Sequence, residues 1–198
     1  MAAFSIVGVA GNVTRPSRTS ALLRAVLNGL QSQIDADSRL IELIDAAPLL
    51  LSALTPDRLD AEGRALIRTI EAADLLVVGT PVYRASYTGA LKHLFDLVRH
   101  DALAGKPIIL TATGGSQMHA LVTEHQLRPL FGFFNALTLP TTIYATEADF
   151  RDFQITSPAV HDRIERAVWE AAGVLDARLS LTFSPTARAA RLPLAVNA

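Results

Sequence analysis

The chain has 198 residues, half of them apolar and 19% charged, with 18 basic against 19 acidic side chains and no cysteine. That balance excludes a disordered segment and suits one well-buried domain. A net charge of −1 supplies no overall positive field for nucleic acid or an anionic membrane. Without cysteine there is no disulfide, thiolate nucleophile, iron–sulfur cluster or cysteine-ligated zinc, so redox chemistry here needs a borrowed cofactor.

In chain order, Phe4 to Ala10 is a short apolar run stopped by Gly11-Asn12, as in a buried strand. The opening residues show no signal-peptide pattern, and the nearly uncharged stretch 129–148 carries Asn135 and Pro140, so a cytoplasmic chain without a membrane span is expected. From Ser17 to about Leu30, Leu22, Leu23, Val26, Leu27 and Leu30 recur at helical spacing behind Ser17, a natural N-cap. Arg39 to Ile44 reads as a second strand, Pro48 to Pro56 as a loop, and Leu59 to Ala73 as a helix with a polar face. Leu75 to Gly79 is a strand buried on both faces, ending at Thr80-Pro81.

Ser86 to His100 is predicted helical, with Tyr87, Ala90, Leu91, Leu94, Phe95 and Val98 in one stripe. Pro107 to Thr113 is a fourth strand before Gly114-Gly115. A helix over Gln117–Phe134, a fifth strand over Thr138–Tyr144 and a last helix from Ser157 to about Leu179 complete the series. Alternating strands and helices imply an α/β three-layer sandwich around a five-stranded parallel sheet. Residues 1–183 read as one domain and 184–198 as a loose tail.

In such a sheet, ligands sit beyond the carboxyl ends of the strands. Three of those ends carry unusual sequence. Gly11-Asn12-Val13-Thr14-Arg15-Pro16-Ser17-Arg18-Thr19-Ser20 opens directly into a helix. Backbone N–H groups and the Ser17, Thr19 and Ser20 hydroxyls can cradle a phosphate there, with Arg15 and Arg18 adding charge. The plainer alternative is an N-cap on a solvated turn. After the third strand, Pro81, Val82, Tyr83 and Arg84 can present backbone groups to a flat polar ring with Tyr83 as cover. After the fourth, Thr113, Gly114, Gly115 and Ser116 permit close backbone approach.

No Walker A or G-x-G-x-x-G motif is present. Glu42 and Asp45, the acids nearest the second strand's end, fall about ten residues late for a ribose contact in a dinucleotide fold. A mononucleotide fits better, and a phosphate loop beside two ring-binding loops describes a flavin mononucleotide (FMN) site. The histidine spacing offers no metal site, no G-x-S-x-G elbow appears, and Lys92 with Asp96 reads as an i, i+4 surface pair.

Gly11 to Ser20, Thr80 to Lys92 with Asp96, and Ala112 to Ser116 resemble the NAD(P)H-dependent FMN reductase family, especially the flavin reductases of two-component alkanesulfonate and methanesulfonate monooxygenase systems. The resemblance runs from the first strand to about Asp152. It implies a flavodoxin-like fold and a homo-oligomer, dimer or tetramer. It places the FMN phosphate on Arg15, Ser17, Thr19 and Ser20, and the isoalloxazine against Pro81, Val82, Tyr83 and Thr113 to Ser116. Asn12 stands where many members have serine; its amide can still bond a phosphate or ribityl oxygen. His125 falls where the alkanesulfonate-type reductases carry an inserted tyrosine in a π-bulge at the tetramer interface; the alternative is an ordinary helical histidine.

The implied activity is hydride transfer from NADPH or NADH to FMN, with the reduced flavin passed to an FMNH2-dependent monooxygenase. Such a transfer needs ring alignment and no catalytic side chain. Two alternatives stand beside it: an FMN-retaining quinone, azo or chromate reductase, and a flavodoxin-like electron carrier or flavin-binding module. Electron carriers are usually strongly acidic, which a net charge of −1 does not match.

Overall fold

A computed structural model describes residues 3–182. Residues 183–198, which hold the expected loose tail, lie outside the described residues. The elements are β1 (Phe4–Ala10), α1 (Arg18–Gln33), β2 (Ala36–Glu42), α2 (Leu43–Leu50), α3 (Ala61–Ala72), β3 (Leu75–Pro81), α4 (Gly89–Asp96) and β4 (Pro107–Gly114). They continue with a π-helical turn (Thr123–Leu127), α5 (Arg128–Phe133), β5 (Leu137–Thr138), β6 (Ile143–Thr146), the hairpin strands β7 (Phe150–Arg151) and β8 (Gln154–Ile155), and α6 (Pro158–Thr182).

The main sheet is parallel in the order β2-β1-β3-β4-β5, with β6 also paired to β4. This is the flavodoxin-like order, whose switch point falls between β1 and β3. Alternate residues of the central strands serve two cores. Val7, Val9, Leu76, Val78, Ile108 and Leu110 pack with α2–α5, whereas Ile6, Ala10, Leu75, Val77, Ile109 and Ile143 pack with α1 and α6. Gly79 lets α1 settle on the sheet: a Cβ there would stand 2.1 Å from Leu23 Cδ1 and 2.4 Å from Thr111 Oγ1.

Four expectations change. The second strand ends at Glu42, and the stretch read as strand end and loop contains α2 with Pro48 inside it. Burial of Leu43, Ala46 and Leu50 on one helical face outweighs the backbone donor that Pro48 removes. The helix expected over Ser86–His100 is only α4. Thr88 caps it by accepting from the Leu91 N–H at 3.2 Å, and Leu97 and Val98 leave it through i→i+3 bonds.

The single helix expected over Gln117–Phe134 is a 3₁₀ turn at Gln117–His119, the π turn and α5. Within the π turn the Arg128 N–H reaches back five residues to the Thr123 carbonyl, and His125 lies in this widened segment. The fifth sheet position is divided between β5 and β6, with four residues between Thr138 and Ile143 against two between their partners Ile108 and Thr111. Pro140 can donate no ladder bond, and Glu170 of α6 accepts from the Thr141 N–H at 2.9 Å instead.

Candidate functional site

The β1–α1 loop is fixed by its own side chains. Ser17 caps α1, its Oγ accepting from the Ser20 N–H at 3.2 Å. Asn12 is buried and donates from Nδ2 to the Thr14 carbonyl at 3.3 Å. Ser20 Oγ donates to Glu42 Oε1 at 2.6 Å and lies 2.9 Å from Asn12 Oδ1. Glu42, at the end of β2, also accepts from Arg15 at 3.0 Å and Arg24 at 2.8 Å, while Arg15 bonds Asp45 at 2.5 Å. Burial pushes the Glu42 carboxyl up, but Ser20, Arg15 and Arg24 outweigh it and hold the group below the usual carboxylate range.

Two further bonds join this loop to β4 and to the start of α4. Thr19 and Thr113 share a hydrogen bond of 2.6 Å between hydroxyls, pinning the start of α1 to β4. Thr88 Oγ1 donates to the Gly11 carbonyl at 2.8 Å.

Beyond β3 the wall of the site is mostly backbone. The Val82 N–H donates to the Thr113 carbonyl at 2.8 Å, and Tyr83 and Ser86 exchange bonds of 2.9 and 3.1 Å around a tight turn. Arg84 and Ala85 at its tip have φ of 52° and 66°, the left-handed region a type I′ turn requires. Gly114 is needed for a close approach: a Cβ would lie 2.1 Å from the Tyr144 hydroxyl, which donates to the Ser116 carbonyl at 2.6 Å. At Gly115 a Cβ would meet nothing within 4 Å.

These segments enclose an open cleft of about 230 Å³ at the carboxyl ends of β1, β3 and β4. Of the residues named from sequence, Asn12, Ser17, Arg18, Thr19, Pro81, Val82, Tyr83, Thr113, Gly114 and Gly115 line it. Arg15, Ser20, Arg84 and Ser116 do not. Arg15 and Ser20 are engaged with the acids at the end of β2, Arg84 is exposed at its turn tip, and Ser116 contributes a carbonyl to Tyr144.

Sequence reasoning missed Glu147, which follows β6, lines the cleft and pairs with Arg18. Its only signal is an acid directly after a strand. It also weighed Glu42 solely as a ribose ligand, whereas Glu42 braces the loop from behind.

The donor set suits a phosphate monoester next to a flat heteroaromatic ring. The Arg18 and Thr19 N–H groups open α1 and have no intrahelical acceptor, and Ser17, Thr19 and Arg18 line the same cleft. Opposite, Gly114 and Gly115 present backbone without side chains.

A second cavity, about 670 Å³, lies against α4 and the π turn, lined by Tyr87, Phe95, His125, Leu130, Phe133 and Phe134 among others. It is larger but lacks a helix start and glycine-lined backbone. The smaller cleft at the switch point is therefore the better ligand site.

The family model for NADPH-dependent FMN reductase matches residues 4–150. An NADH-dependent FMN reductase, SfnF, of Pseudomonas fluorescens is 52% identical over 174 residues, which cover 88% of this chain and 93% of that one. An FMN reductase (NADPH) of Pseudomonas aeruginosa is 48% identical, with 90% and 96% covered. The crystal structure of an oxidoreductase from Corynebacterium diphtheriae superposes with a TM-score of 0.78 at 32% identity, covering 88% of this chain and 98% of that one. Sequence and fold together show that the chain belongs to the NADPH-dependent FMN reductase family.

Proposed function

We propose that the chain is an NAD(P)H:FMN oxidoreductase whose reduced flavin serves a partner monooxygenase, of the sulfonate type that the sequence resembles. The observation that carries this reading is the convergence, in one cleft, of an anion-binding helix start with glycine backbone and an exposed tyrosine. Bound there, FMN supplies the hydride acceptor and NADH or NADPH the hydride. The protein's part is positioning. Ser17, Thr19 and Arg18 hold the phosphate, Asn12 takes the neighbouring polar chain, and Val82, Gly114 and Gly115 meet the ring with backbone.

Tyr83, 45% exposed, borders the open side through which a nicotinamide enters. Hydride transfer between aligned rings requires no side chain to donate or accept a proton at the reacting carbon. One similar protein is named for NADH and another for NADPH, so both nucleotides belong in the test. Purified protein is expected to oxidise one or both only when FMN is added; no FMN-dependent turnover with either overturns the proposal.

The same reading includes a homo-oligomer. Phe133 is 69% exposed beside the second cavity, where an apolar face would be covered by another copy. A monomer mass in solution at micromolar concentration would contradict it. Among the described residues, no helix is long and apolar enough to cross a membrane.

A further inference from the structure

Among the described residues, the cleft is lined by one cationic and one anionic side chain, Arg18 and Glu147, and they are paired with each other. Arg15 is already engaged by Glu42 and Asp45, and Arg24 by Glu42. Arg18 is therefore the arginine of the loop that faces the cleft. Its guanidinium also lies 5.5 Å from the centroid of the Phe153 ring, in the β7–β8 turn that follows Glu147. The Glu147 carboxylate is largely exposed and has no other partner among the described residues.

Glu147 has no evident part in shaping its own segment. The 3₁₀ turn Glu147–Asp149 is closed by Asp149, whose Oδ2 accepts from the Thr146 N–H at 2.7 Å and from the Thr146 hydroxyl at 2.8 Å. A carboxylate that a turn does not need, placed in an anion-binding cleft on its arginine, works against anion binding. A phosphate monoester carries about −1.5 to −2 charges at neutral pH and is the stronger arginine ligand. When Arg18 turns to it, Glu147 is left beside a dianion without its counter-charge.

We infer that Glu147 is an affinity-lowering residue: it competes with the flavin phosphate for Arg18, so that the cleft holds FMN loosely enough to release it. The inference rests on the FMN reading of the cleft and adds to it a device for release. Such a device suits a reductase whose product leaves for another enzyme, and would be a handicap in one that retains its flavin.

The test is a flavin-fluorescence titration of the full chain at low salt, with FMN and with riboflavin, which lacks the phosphate. Glu147→Gln is expected to lower the Kd for FMN about five- to tenfold. The riboflavin Kd stays unchanged, which also shows that the ring end is intact. The gain shrinks in an Arg18→Gln background and at high salt. An FMN Kd that stays the same or rises in Glu147→Gln, or a riboflavin Kd that falls as much as that for FMN, overturns the competition. Wild-type protein that binds no FMN overturns the parent reading instead.

Discussion

The two ends of the cleft are built by different means. At the phosphate end, side chains do the holding: Asn12, Ser20, Arg15, Arg24 and Glu42 form one connected network behind the loop. At the ring end, backbone does it: the Tyr83–Ser86 turn, the Val82–Thr113 bond and two glycines. A phosphate has a fixed shape and charge, so donors braced in advance lose little freedom on binding. A ring that must also meet a second ring needs a flat wall with one side open, and glycine backbone beside an exposed tyrosine gives that.

The largest predicted effect lies at the ring end. Gly114→Ala puts a methyl group against the Tyr144 hydroxyl and should cost about 1–3 kcal/mol of stability. Tyr144→Phe removes the oxygen in the way, so the double variant is expected to be less destabilised than the sum of the two single changes. Thermal unfolding of the four proteins measures this. Strict additivity would mean that the ring end is soft and that the contrast between the two ends is wrong.

At the phosphate end, Glu42→Gln removes a charge that three donors share. The expected loss is about 1 kcal/mol, toward the low side for charge-assisted bonds because Arg15 and Arg24 are roughly half exposed. FMN binding should weaken while riboflavin binding holds, opposite in sign to the effect of Glu147→Gln. Two carboxylates next to one loop would thus act in opposite directions, one bracing it from behind and one contesting its arginine. A Glu42→Gln protein that binds FMN as tightly as wild type would show that the network does not preorganise the loop.

The same network sets a pH dependence. Glu42 has a folded-state pKa below its unfolded value, so its stabilisation is fully present above about 4.3 and is lost as pH falls through the folded value. Stability attributable to Glu42 should be level from neutral pH down to that point and decline below it. Denaturation of wild type and Glu42→Gln across the range isolates the share, and the two curves should converge in acid.

The ring end was more legible from sequence than the bracing of the phosphate end. Pro81, Tyr83, Gly114 and Gly115 announce themselves by residue type at strand ends, and Ser17 by its place before an apolar helical stripe. Those are local signals. The partner that Arg15 takes is not local: Glu42 lies 27 residues away and is reached only because β2 pairs beside β1, so the charge looked free for phosphate.

Glu147 is 129 residues from Arg18 and was invisible for the same reason. In the fold, five sheet positions were readable, but the division of the fifth was not. Pro140 was in plain view, whereas the acceptor that replaces its ladder bond, Glu170, comes from the last helix. The π turn at Thr123–Leu127 has no periodicity of its own, and only resemblance pointed to it.

The smallest predicted effect lies outside the cleft and serves as its control. Lys92 and Asp96 pair at 2.5 Å, as short as Arg15 and Asp45, but one turn apart on α4 and with both side chains about half exposed. An isolated i, i+4 pair of this kind contributes about 0.3–0.5 kcal/mol, screened further by salt. Asp96→Asn should therefore shift unfolding less than Glu42→Gln, although Lys92–Asp96 is a shorter contact than the 3.0 and 2.8 Å that Arg15 and Arg24 keep to Glu42. Both residues also line the second cavity beside Phe133. If another copy covers that face, the pair leaves water, and its removal should cost more as protein concentration rises. A small, concentration-independent effect supports the surface-pair reading and leaves the α4 face open, whereas a large concentration-dependent one places a subunit contact there. If the effect is small, connection and burial separate the network at Glu42 from a bare ion pair; distance does not.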